Sequence, residues 1–117
     1  MPLVEVLGVP RMFGWRRKKF KKEVREAAAA IPEMELTTSQ VAVLTFREAG
    51  GCDGEIHVRF TFYETEKRTP KVRETLAKEI AKVVKEWFPK TNLIEAWGNP
   101  FCKENGFYSI EDEGECL

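Results

Sequence analysis

The chain has 117 residues, enough for one domain with a respectable core but not for two, with 43% hydrophobic and 32% charged residues. Its 19 basic side chains are balanced by 19 acidic ones, so no global field argues for a nucleic-acid or membrane partner. No apolar run approaches the ~20 residues a membrane helix needs, and the opening residues lack the regions of a signal peptide; a cytoplasmic protein is expected.

The chain opens Met1-Pro2 and passes at once into an apolar strand signal, Leu3 to Leu7. If the initiator is trimmed, Pro2 becomes a free secondary amine at the end of a sheet. That makes it a candidate general base, although many chains begin in this way without consequence. A first helix is expected from Trp15 or Arg16 to a point before Pro32, with Phe20, Val24, Ala27 and Ala28 on its buried stripe. Its opening turns carry the one marked charge run, Arg16-Arg17-Lys18-Lys19-Phe20-Lys21-Lys22. A solvated helix face accounts for that run better than a phosphate-binding strip does, because Glu23, Glu26 and the neutral whole oppose an extended basic footprint.

Two strand signals follow, Ser39 to Arg47 and Glu55 to Glu64, separated by the turn-forming Ala49-Gly50-Gly51-Cys52-Asp53-Gly54. In the second strand Ile56, Val58, Phe60 and Phe62 alternate with His57, Arg59, Thr61 and Tyr63, which gives one wholly apolar face. The second helix is read from Thr69 as cap and Pro70 in the first turn, through Val72, Leu76, Ile80, Val83, Val84 and Trp87, to a stop before Pro89. A strand from Asn92 to Trp97 comes next. Gly106 to Ile110 can add a short edge strand before the acidic tail 111–117.

Cys52, Cys102 and Cys116 are odd in number and widely spaced, which provides neither a disulfide framework nor a metal clip. The single His57 completes no metal site with them. Cys52 and Cys116, in a turn and a tail, have no adjacent base to make either a nucleophile.

The order strand, helix, strand, turn, strand, helix, strand predicts an α+β fold: two βαβ units, pseudo-repeats at 1–49 and 54–110, forming a four-stranded mixed sheet with both helices on one face. If Val4, Val6, Ile94 and Ala96 point toward the helices, then Leu3, Glu5, Leu7, Tyr63, Leu93, Glu95 and Trp97 emerge on the bare side. Too many of these are large and apolar for open solvent, so a subunit interface is expected there.

The amino-terminal Met-Pro, the two strand-helix-strand units of similar length and the total near this size together resemble the tautomerase superfamily, in particular the macrophage migration inhibitory factor and 5-carboxymethyl-2-hydroxymuconate isomerase types. Glu64-Thr65-Glu66-Lys67-Arg68-Thr69 looks like the strand-to-helix passage of 4-oxalocrotonate tautomerase, in which an arginine before the helix binds a substrate carboxylate. Trp97-Gly98-Asn99-Pro100 through Asn105-Gly106-Phe107 looks like the carboxy-terminal strands of longer members. The resemblance extends over nearly the whole chain, as a single tautomerase-like domain at 1–117.

What the resemblance implies is a symmetric homotrimer with each active site at a subunit boundary around Pro2, and no cofactor. The proline nitrogen would take a proton from the carbon next to a carbonyl and return it elsewhere, on a small carboxylated enol or α-keto acid. Pro2 would be catalytic, and Arg68, Glu95 and Trp97 would line the substrate site. An exposed α-amino group titrates near ~8, and an apolar pocket or a cation such as Arg68 favours the neutral amine that a general base requires. The chain departs from the inhibitory-factor type in two places. Leu36-Thr37-Thr38-Ser39-Gln40 lacks the lysine found near the second strand there, and Leu93 and Glu95 stand where that type has a tyrosine and an asparagine. Two other readings stay open: a catalytically silent trimer of the same fold, and a ferredoxin-like module whose basic first helix docks on a nucleic acid.

Overall fold

The computed structural model describes residues 2–47, 54–101 and 110. Six main elements run in the order β1 (Leu3–Val9), α1 (Gly14–Ala29), β2 (Ala42–Arg47), β3 (Glu55–Tyr63), α2 (Pro70–Trp87) and β4 (Leu93–Phe101). The strands form one sheet in the order β2-β1-β3-β4. β1 is parallel to β2 and antiparallel to β3, and β3 is parallel to β4. Each helix is therefore the crossover of one parallel pair, as the element order requires.

Period-two patterning sets the two faces of the sheet. Val4 and Val6 of β1, Val43 of β2, and Ile56, Val58, Phe60 and Phe62 of β3 are buried. They meet Phe20, Val24 and Ala28 of α1 and Leu76, Ile80 and Val84 of α2, and burial of each large apolar side chain contributes about 1.5–3 kcal/mol. The helices are joined to each other by Phe20, whose ring stands 5.7 Å from Trp87 and 5.4 Å from Phe88, and by a hydrogen bond from Trp87 Nε1 to Glu23. Thr69 caps α2 by accepting from the Val72 amide.

Three boundaries differ from the sequence expectation by more than one residue. β2 begins at Ala42 rather than Ser39, because Thr38–Gln40 form a 3-10 turn closed by a reciprocal capping box between Thr37 and Gln40. β1 runs on to Val9 through a bulge at Gly8, whose φ is +90°; a Cβ there would lie 2.6 Å from the Glu55 carbonyl oxygen. β4 extends past Trp97 to Phe101, level with the end of β3. It carries Pro100 because an edge strand tolerates a residue without an N–H. The expected edge strand at 106–110, apart from Ile110, most of the turn at 49–54 and the acidic tail lie outside the described residues.

The face away from the helices is bare. Register aligns Phe46, Leu7, His57 and Glu95 in one row across it, and Leu44, Glu5, Arg59 and Trp97 in the next. Leu44, Phe46, Leu93 and Trp97 are exposed there, between 39% and 44% each. This is the apolar surface that the alternation predicts, enlarged by Leu44 and Phe46 of β2.

Candidate active site at the amino-terminal end of the sheet

Pro2 is half-buried, and its backbone oxygen accepts from the Ala42 amide at 3.0 Å. That bond fixes the residue at the start of an inner strand, with β2 on one side and β3 on the other. Leu3 stands opposite Thr61, so one further step of the antiparallel register brings Pro2 level with Phe62. Since Leu3 belongs to the bare face and Val4 to the core, alternation places Pro2 on the helix-covered side with Phe62.

Arg68 lies at the same end of the sheet. Its guanidinium is stationed over the Phe62 ring at 5.8 Å, donates through Nη1 to the Tyr63 carbonyl at 2.7 Å, and donates through Nη2 to the Met34 carbonyl at 2.7 Å. Burial pushes its pKa down, and the nearby Glu35 carboxylate opposes that shift; an arginine stays protonated under either influence. Two of its about five N–H donors are committed to these carbonyls. A cavity of about 320 Å³ adjoins it, lined by Glu33, Met34, Glu35, Thr65, Glu66 and Lys67 as well as Arg68 itself. The cation expected to anchor a substrate thus also staples the β3–α2 junction to the Pro32–Met34 turn.

Glu35 and Lys67 form an ion pair at the rim of this cavity. Lys67 holds the Glu35 carboxyl below its usual range, chiefly through their hydrogen bond, and Glu35 raises the Lys67 ammonium in return. Glu35 adopts the left-handed conformation at φ 54° as it closes the 3-10 turn. Sequence reasoning missed both Met34 and Glu35 as neighbours of Arg68. The available signal was Pro32 at the head of a short turn, but nothing local pointed that turn toward a residue 34 positions on.

The structure brings Pro2 and Arg68 to one end and leaves Glu95 and Trp97 elsewhere in the same chain. Both lie on the bare face, in the rows of Leu7 and Glu5. These rows are five and three residues along β1 from Pro2, roughly 17 Å and 10 Å at strand rise. Glu95 Oε2 stands 3.8 Å from His57 Nδ1, and Glu55 is 3.9 Å from the other ring nitrogen. The His57 ring meets Trp97 edge-on at 6.2 Å. Beside them Arg59 donates through Nε and Nη2 to one oxygen of Glu5, at 3.1 and 2.9 Å. Arg59 and Glu5 thus neutralise each other on this face, while the carboxylates of Glu55 and Glu95 flank the single His57 ring.

No protein-family model and no curated protein matches this sequence. Solved structures do match it along nearly their full length. The macrophage migration inhibitory factor of Toxoplasma gondii is 12% identical, with 95% of this chain and 97% of that one covered and a TM-score of 0.71. Pt0534, solved after inactivation by 2-oxo-3-pentynoate, is 16% identical, with 96% and 93% covered and a TM-score of 0.67. A fused 4-OT, described as an asymmetric trimer, is 12% identical, with 97% and 94% covered and a TM-score of 0.61. These are tautomerase-superfamily structures, and the fold of this chain, a four-stranded mixed sheet under two helices, is the tautomerase fold.

Proposed function

We propose that the chain, after loss of Met1, is a cofactor-independent tautomerase that works as a homotrimer and uses the Pro2 nitrogen as general base on a small carboxylated enol or α-keto acid. The observation that carries this reading is the anchoring of Pro2 at the start of an inner strand, at the same sheet end as Arg68. An amine on a residue anchored in the sheet, at the same end as a part-buried cation, has what proton abstraction next to a carbonyl requires: a base held in place and a positive charge for the developing enolate. The nitrogen accepts the proton from one carbon or hydroxyl and delivers it to another, so the substrate is isomerised with no net change in composition. The inactivation of Pt0534 by 2-oxo-3-pentynoate supports an α-keto acid as the substrate class.

The bare sheet face and the trimeric fused 4-OT support the trimer. In such an assembly Glu95 and Trp97, remote from Pro2 within one chain, would be contributed across the subunit boundary, with His57 pairing Glu95 when protonated. A silent trimer of the same fold is the second reading. It is favoured by one observation, the commitment of Arg68 to the Tyr63 and Met34 carbonyls beside three carboxylates, Glu33, Glu35 and Glu66.

Intact mass establishes whether Met1 is gone, and ketonisation of phenylenolpyruvate and 2-hydroxymuconate then measures activity. The enzyme reading expects turnover by the trimmed chain and its loss in Pro2→Ala. Retention of Met1, which makes the Pro2 nitrogen an amide, or turnover unaffected by Pro2→Ala, sinks it.

A further inference from the structure

At the end of the sheet away from Pro2, a second cavity of about 380 Å³ opens outside the carboxyl ends of the parallel pair β1 and β2. Its walls come from three separate elements. Arg11 and Phe13 belong to the loop after β1, Gly14 and Arg17 to the start of α1, and Thr45 and Arg47 to the end of β2. The chain as a whole is neutral, so three arginines lining one cavity are a local segregation of charge.

None of the three has a carboxylate partner among the described residues. Arg17 and Arg47 make no side-chain hydrogen bond or ion pair there, and the contact of Arg11 is with the Phe13 ring at 5.7 Å. The adjoining helix end adds to the positive field: Phe13 provides no side-chain cap to α1, and the first turn holds no acidic residue. Like charges gathered in this way repel one another, and a multivalent anion in the cavity relieves that repulsion. Guanidiniums suit phosphate oxygens in particular, because their paired N–H groups match two oxygens at once.

We infer that the cavity framed by Arg11, Arg17 and Arg47 is a binding site for a phosphate monoester group. The seven-residue length of β1 sets it roughly 20 Å from Pro2, so it is distinct from the proposed active site. Val9 is buried in the core, and it lines the cavity. The site therefore lies on the helix side of the sheet and stays open when the bare face is covered by another subunit.

The test is calorimetric titration of the full chain with inorganic phosphate and with phenyl phosphate. Arg17→Ala and Arg47→Ala are each expected to weaken binding about tenfold, the loss of one charge-assisted hydrogen bond. Lys78→Ala on the outer face of α2 and Pro2→Ala are both expected to leave binding unchanged, which separates this site from the proposed catalysis. Sedimentation with phosphatidylcholine vesicles carrying phosphatidic acid identifies the source of the group. Co-sedimentation lost in the same arginine variants assigns it to a lipid headgroup, and phosphate binding without co-sedimentation assigns it to a soluble ester. Absence of phosphate binding in the folded protein, or binding indifferent to Arg17 and Arg47, overturns the inference.

Discussion

Arg68 and Tyr63 are joined by a 2.7 Å hydrogen bond from guanidinium to backbone oxygen, made five residues back along the chain, and the same side chain bonds the Met34 carbonyl at an equal distance. One cation therefore satisfies two carbonyls and covers the Phe62 ring. Its structural and its proposed substrate-binding duties are separable by experiment.

Arg68→Ala is expected to lower stability by about 2 kcal/mol in urea unfolding, because two half-buried carbonyls lose a charged donor. Arg68→Lys is expected to recover part of that stability. If Arg68 also holds the substrate carboxylate, Arg68→Lys raises KM while leaving kcat within a fewfold of the parent. Equal loss of both parameters would assign it to the fold alone.

The bare face gives a second expectation. Leu44 projects from β2 in the row shared by Glu5, Arg59 and Trp97, where an added carboxylate meets a surface already balanced by the Glu5–Arg59 pair. Leu44→Glu should preserve helical content by circular dichroism and reduce the sedimenting mass from that of the proposed trimer to that of a monomer. An unchanged mass would exclude this face as the contact.

Gly98 of β4 tests how tightly that strand is packed. A Cβ there would lie 2.8 Å from the Phe60 ring and 3.3 Å from the Phe62 ring, and these rings are stacked at 5.8 Å within the core. Gly98→Val is expected to cost about 1–3 kcal/mol through forced displacement of Phe60. Chemical denaturation reads the loss, and near-ultraviolet dichroism reports the displaced aromatic packing.

The Glu35–Lys67 pair has a defined pH window. The folded-state pKa of Glu35 is lowered from 4.5, so its contribution is present above that value and is lost as pH falls through the depressed one. That of Lys67 is raised from 10.5, so its contribution is present below that value and is lost as pH rises through the elevated one. Both side chains are largely exposed, which keeps the effect small and salt-sensitive. Lys67→Met should therefore differ from the parent in thermal midpoint near neutral pH and low salt, and converge with it at pH extremes or in high salt.

The elements themselves were legible in the residues. Alternation along 56–62, the spacing from Val72 to Trp87 and the cap at Thr69 are local signals, and each appears in the structure where it was expected. The mixed sheet and its bare apolar face followed, because two βαβ units leave few other arrangements. The Thr37–Gln40 capping box was equally local, yet a run of polar residues ahead of Val41 reads as strand when only hydrophobic alternation is weighed. Tertiary structure alone decided the surroundings of each charge. Arg68 meets Met34 from 34 residues away, Arg59 meets Glu5 from 54 residues away, and Arg11, Arg17 and Arg47 converge from three elements. A period or a cap is set by neighbours within a few residues, whereas the partner of a long side chain depends on which backbones the crossovers bring together. Composition and spacing carry no record of that.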